Sequence, residues 1–195
     1  MRLGIMLHFF QQWCGINAIQ FYSTGIFSSF GKGEFFARIL TLAIKLISMI
    51  GVVFALLFVD RLGRKPLLYF GNIGMAVCLL LMGLFSEIID GGVVPPIIFI
   101  ALFLIFYEAS AGPITWVYCG EILDAKPMSA CVSSNWTFNI MVVFLFPSLS
   151  SLLGISTVFF IYSGVCFLAA IYFKKDLTET KGKSKISIQE MMKNA

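Results

Sequence analysis

The amino-acid sequence predicts an all-α integral membrane protein with six transmembrane helices. Three observations carry that prediction. Of the 195 residues, 59% are hydrophobic and only 12% are charged, against about a quarter charged in globular domains. The apolar residues gather into six stretches, each near the roughly 20 residues a helix needs to cross a bilayer core of about 30 Å. Most Lys and Arg residues fall in alternate connections between those stretches. Alternating strand patterns are missing, which argues against a transmembrane barrel.

The predicted spans are 3–30, 36–59, 67–85, 94–117, 130–153 and 156–173, followed by a basic tail over 174–195. Threading six helices in order puts Arg2, Arg61, Arg64, Lys65, Lys126, Lys174, Lys175, Lys181, Lys183, Lys185 and Lys193 on one side. Lys32, Arg38, Glu87 and Asp90 fall on the other. The excess of positive charge marks the cytoplasmic side, so both termini are expected there. The first span is too long and too rich in amides for a cleavable signal segment.

Span 3–30 holds the most polar stretch at depth, Gln11-Gln12-Trp13-Cys14-Gly15-Ile16-Asn17. Amides in hydrocarbon need hydrogen-bond partners, so they should face a bundle interior or a wet cavity. They both donate and accept, which suits a neutral polyhydroxylated ligand; cross-linking of helices is the competing use. In a straight helix Asn17 lies about 140° around the axis from Gln12. Convergence on one ligand therefore requires a distortion at Gly15, or a ligand that is wrapped.

In span 36–59, Lys45 and Ser48 face roughly the same way, about 60° apart. Lys45 must snorkel, pair or line water, and its candidate partner is Glu108, the acid deep in span 94–117. Asp60-Arg61-Leu62-Gly63-Arg64-Lys65 forms a tight basic turn before span 67–85. It reads as a topology signal, or as a gate in which Asp60, Arg61 and Arg64 pair with Glu121. Span 94–117 contains Gly112-Pro113, a helix-weakening pair that matches Gly15 in the first span. Interrupted helices in two corresponding triplets point to a transporter binding site. Trp116 offers a flat face for stacking on a sugar ring, or serves as an interfacial anchor. In span 130–153, Asn135 and Asn139 share a helix face. The sequon at Asn135 lies inside an apolar span and is not read as a glycosylation site.

Several functions find no support. The cysteines Cys14, Cys78, Cys119, Cys131 and Cys166 are isolated, with no zinc or disulfide spacing. No nucleophile elbow, metalloprotease, phosphate-loop or dinucleotide motif occurs, so no enzyme activity, cofactor or metal is expected. The net charge of +4 sits in loops and a tail rather than in a nucleic-acid-binding patch. His8, the single histidine, reads as structural.

Taken together these stretches resemble the sugar-porter family of the major facilitator superfamily, and most closely its facilitative hexose transporters. Gln11-Gln12 with Gly15-Ile16-Asn17-Ala18 resembles the QQ-x-x-GINA motif, continued by Tyr22-Ser23-Thr24. Asp60 to Lys65 is similar to the D/E-R-x-G-R-R/K loop. Gly112-Pro113-Ile114-Thr115-Trp116 with Glu121, Asn135-Trp136 with Asn139, and Glu179-Thr180-Lys181-Gly182 resemble three further elements in the family's order. The resemblance covers the chain but only the C-terminal half of such a transporter. It implies one six-helix bundle of two inverted three-helix repeats. It implies sugar contacts at Gln11, Gln12, Asn17, Glu108, Trp116 and Asn135, with Ser48 where many hexose carriers have asparagine. It implies an inner-face charge network of Arg61, Arg64, Glu121 and Glu179, with Asp60 from the gate reading.

The departures carry expectations too. Lys45 stands where the family has a small or apolar residue. Ser110-Ala111 replaces a Gly-Pro pair and Thr115 a proline, which predicts a less broken fourth span. The function implied is alternating-access transport of a glucose-like hexose in the plasma membrane, with possible proton coupling and a second six-helix bundle as partner. That bundle is a second copy or a separate N-terminal half. The alternative is a non-transporting sensor or regulator, or an inactive truncated fragment.

Overall fold

The chain, described by a computed structural model, is defined over residues 1–28, 33–88 and 94–193. Lys32 and Asp90, used above for orientation, lie outside the described residues, as does the side chain of Glu87. Among the described residues every regular element is helical. They are α1 (Arg2–Trp13), α2 (Ile16–Ser28), α3 (Glu34–Leu62), α4 (Arg64–Ile88), α5 (Val94–Ala109), α6 (Ala111–Ile122), α7 (Ala125–Leu153), α8 (Ile155–Asp176) and α9 (Lys185–Lys193). Among the described residues, five stretches are long and apolar enough to cross a membrane: Glu34–Leu62, Arg64–Ser86, Pro95–Ile122, Ala125–Leu153 and Ile155–Asp176. Most helices overrun the predicted span ends, and α3 and α4 are separated by Gly63 alone. Charged termini remain helical because internal bonds satisfy the backbone at no extra desolvation cost.

The first apolar segment is two helices, α1 and α2, of 12 and 13 residues, each too short to cross alone. They part at Gly15, where φ is 84°. That conformation favours glycine. A Cβ there would also fall on the ring of Tyr162 from α8. Gly15→Ala is therefore expected to combine a left-handed backbone penalty of about 1–2 kcal/mol with overpacking of about 1–3 kcal/mol. Thermal unfolding in detergent should show a clear loss, and a smaller one when Gly15→Ala is made in a Tyr162→Ala parent. An unchanged midpoint would remove both arguments.

The fourth span is also broken, where Ser110-Ala111 and Thr115 led to the expectation of a less broken one. The break lies at Ser110 (φ −139°, ψ −92°), upstream of Gly112-Pro113. Pro113 explains the position. Its ring cannot accommodate the carbonyl four residues back, that of Ala109, and it has no N–H to give. The helix therefore stops at Ala109 and restarts so that Pro113 falls in the first turn of α6, where no N–H is needed. Pro147, by contrast, is carried inside α7 without a break.

Packing is helix on helix: α4 against α8 and α5, α3 against α5, and α1 against α7. Leu68, Met75, Leu79, Met82, Phe103 and Phe159 are fully buried along those seams. Leu42, Leu56, Leu57, Phe144 and Leu152 point outward, an apolar exterior suited to lipid. The predicted tail is not loose. Leu177, Thr180 and Ile188 are buried, and α9 lies against α6.

Candidate functional site

The kink at Gly15 brings the first segment's amides together. Asn17 donates to Gln12 Oε1 from the far side of the break. Gln11 Nε2 donates to the carbonyls of Ala111 (2.9 Å) and Gly112 (3.0 Å), at the start of α6. Gln12 Nε2 donates to Asn135 Oδ1 at 2.9 Å. Asn135 Nδ2 donates to Gln11 Oε1 at 2.8 Å and lies 2.9 Å from His8 Nδ1. Asn139 reaches Gln12 Oε1 at 3.4 Å. Elements 100 and more residues apart thus meet in one polar cluster from α1, α2, α6 and α7.

Counting hydrogens separates two roles. Both N–H groups of Gln11 and both of Asn135 are used, and each side-chain oxygen accepts a bond. These two residues are buried at 3% and 2% exposure. Gln12 keeps one free amide hydrogen, and half-buried Asn17 and Asn139 keep a hydrogen and an oxygen each. With Asn135 Nδ2 as donor, His8 Nδ1 accepts; the same nitrogen lies 3.4 Å from Gln11 Oε1. The His8 ring meets half-buried Trp116 edge-on, with centroids 4.7 Å apart. His8 Nε2 and Thr115 Oγ1 are buried with no hydrogen-bond partner among the described residues. A helical threonine ordinarily uses the carbonyl four residues back, and here that carbonyl belongs to Ala111, which already takes Gln11.

Two of the residues named from sequence stand apart from the cluster's bonds. Ser48 is buried on α3, but its hydroxyl donates to the Lys45 carbonyl at 2.8 Å. Glu108 is half-buried, with its carboxylate against Gly112. The Lys45–Glu108 pair is not formed. Glu108 packs at Gly51, six residues along α3 from Lys45, about 9 Å away. Lys45 is exposed.

A second constellation lies at the α3–α4 turn. Arg64, whose side chain is only 11% exposed, contacts Glu121 Oε1 through Nη2 at 2.8 Å and Asp60 through Nη1 at 3.0 Å. Glu179 accepts the backbone N–H groups of Arg64, Lys65, Thr180 and Lys181 at 2.9–3.0 Å. The first two open α4, and a helix N-terminus favours an anion. Burial raises the Glu179 carboxyl's pKa, but the four N–H groups outweigh it and leave the group below its ordinary value. Gly63 (φ 94°) makes room, since a Cβ there would stand 2.6 Å from Glu179 Oε2. Buried Thr180 donates to Glu121 Oε2 at 2.7 Å. Arg61 differs from expectation. Its side chain is exposed and joins no ion pair among the described residues, while its carbonyl accepts Lys181 Nζ at 2.5 Å. The tight turn around Gly63 points residues 61 and 64 apart, so only one guanidinium enters.

The family model described as "Sugar (and other) transporter" matches residues 1–192. The chain belongs to the sugar transporter family. The major myo-inositol transporter IolT of Bacillus subtilis is 33% identical over 96% of this chain and 41% of its own length. The glucose transporter GlcP of Staphylococcus epidermidis is 35% identical over 93% of this chain and 42% of its own. Among solved structures, the proton:xylose symporter XylE bound to 6-bromo-6-deoxy-D-glucose superposes with a TM-score of 0.89 at 28% identity. The match covers 97% of this chain and 42% of that one. The chain thus spans about two fifths of the length of the sugar transporters it matches.

The sequence reads His8 as structural and Thr180 only as part of the Glu179–Gly182 stretch; the structure puts His8 against Asn135 in the amide cluster and Thr180 on Glu121. A lone histidine without an acidic neighbour carries no local signal. Its spacing three residues before Gln11, one helical turn, was the available hint.

Proposed function

We propose that this chain supplies a sugar-binding six-helix bundle of a transporter for a glucose-like hexose, working by alternating access. The observation that carries the reading is the amide cluster. Gln11 holds Asn135 and the α6 carbonyls, and Gln12, Asn17 and Asn139 keep unspent groups. In this reading α1 and α2 together make the first of six crossings, and α5 and α6 together make the fourth. The two breaks then occupy matching places in two inverted three-helix repeats.

Residues 1–173 form the bundle. Residues 174–195 lie on the cytoplasmic side with both termini, in a plasma membrane. Glu108 and Ser48 line the sugar path beyond the cluster. Asp60, Arg64, Glu121 and Glu179 tie α3, α4, α6 and the 177–193 segment into one inner-face clasp. The partner is a second six-helix bundle, since rocking requires two bodies.

The test is entry of D-glucose against L-glucose into liposomes holding the purified chain, at two external pH values. Saturable uptake preferring the D isomer, lost in Gln12→Ala, is expected. A pH-dependent rate would add proton coupling. Equal entry of both isomers by a folded chain that also fails to bind D-glucose selectively would overturn the reading.

A further inference from the structure

The clasp at the α3–α4 turn leaves positive charge over. Arg64 is held by Asp60 and Glu121, and Glu179 is held by backbone N–H groups. Arg61 is exposed and Lys65 half-buried, and neither side chain has an acidic partner within 4.0 Å among the described residues. Lys181, resting on the Arg61 carbonyl, adds a third cation to the same rim.

Beside that rim a cavity of about 380 Å³ opens between α3, α4 and α5, its wall including Ile50, Phe54, Leu62, Pro66, Phe106 and Ser110. Leu62 and Pro66 line one end of the groove, and Arg61 and Lys65 are their immediate neighbours in the chain. From Leu62 to Ile50 is twelve residues of α3, about 18 Å. That is close to the depth of one leaflet, half of the roughly 30 Å hydrocarbon core. The groove is apolar along the length of an acyl chain and positive where a headgroup sits. The exposed faces of Phe144 and Leu152 on α7 carry no such unpaired cations among the described residues.

We infer that this groove binds one anionic phospholipid from the leaflet on the side of the α3–α4 turn. An acyl chain lies along α3 against Phe54 and Phe106, and the phosphate meets Arg61 and Lys65. Basic side chains at a membrane surface attract anionic headgroups, and the concave wall fixes where the chain goes. The inner wall ends at Ser110, where α5 and α6 part, so the bound lipid also packs beside that break.

The chain, purified in a neutral detergent, is titrated with dioleoyl phosphatidylglycerol or dioleoyl phosphatidylcholine. Native mass spectrometry counts retained lipid, and thermal unfolding reports its effect. One phosphatidylglycerol should be retained with about tenfold preference, and the midpoint should rise more than with phosphatidylcholine. The double variant Arg61→Ala with Lys65→Ala should lose the preference. Ile50→Trp, on an exposed wall of the groove, should reduce retention of phosphatidylglycerol without moving the lipid-free midpoint. Equal retention of both lipids, or both variants binding like the parent, would overturn the site and leave ordinary annular contact. The same stabilisation by soluble glycerol phosphate would overturn the acyl-chain part.

Discussion

Asn135→Ala is expected to weaken sugar binding by about tenfold to a hundredfold and to lower stability as well. The side chain holds three cluster bonds: from Gln12, to Gln11 and to His8. Removing it leaves Gln11 Oε1, one Gln12 hydrogen and His8 Nδ1 without that partner. Each orphaned buried group costs about 1–3 kcal/mol in a dry site, while interhelical bonds in membrane proteins average about 0.6 kcal/mol because the lipid-embedded reference state finds other partners. The smaller figure should govern folding, giving a loss of about 2 kcal/mol. The larger should govern binding, where Gln12 must be held in one orientation. Asn139→Ala removes a single bond of 3.4 Å at a half-buried position and should cost much less stability. Equilibrium binding of D-glucose and thermal unfolding on both variants would check the ranking. Equal effects would show that the cluster does not act as a unit.

Glu179→Ala is expected to cost about 2–3 kcal/mol, the scale of charge-assisted bonds at a helix N-terminus, and to release the 177–193 segment. Four backbone N–H groups lose their acceptor, two of them at the start of α4. The segment then keeps Thr180 on Glu121, the Thr178 carbonyl on Tyr118, and Lys181 and Lys185 on the Arg61 and Leu123 carbonyls. Limited trypsin digestion should cut at Lys181 or Lys183 well before the parent chain is cut. Unchanged proteolysis would falsify the anchoring role. The pH dependence follows from the carboxyl's position below its ordinary value of 4.5. A lowered folded value means that the stability it contributes is fully present above the unfolded value. It is lost only as pH falls through the folded one. Between pH 5 and neutrality this group should therefore leave the midpoint unmoved, and Glu179→Gln should flatten the acid limb.

Composition and apolar segment length determined that the chain is a helical membrane protein, because crossing lipid demands internally bonded helices of fixed minimum length. The glycine at position 15 and the amides at Gln11, Gln12 and Asn17 were legible for the same kind of reason. A polar group in an apolar run must be paired, and convergence around a helix requires a distortion that glycine permits. Glu179 with Gly63 and Arg64 was legible through the resemblance rather than through physics. Only the tertiary structure decided which donors are spent. That Gln11 is spent on Asn135 and the α6 carbonyls, that Asn135 is spent on Gln11, Gln12 and His8, and that Arg61 stays outside a network Arg64 enters all depend on contacts between residues far apart in the chain. Periodicity places a side chain on a face. It says nothing of which distant partner occupies the same space, and hydrogen-bond satisfaction is settled there. The break at Ser110 lies between these cases. Pro113 dictated it locally, through the carbonyl of Ala109, but the Gly-Pro pair drew attention to the wrong residue.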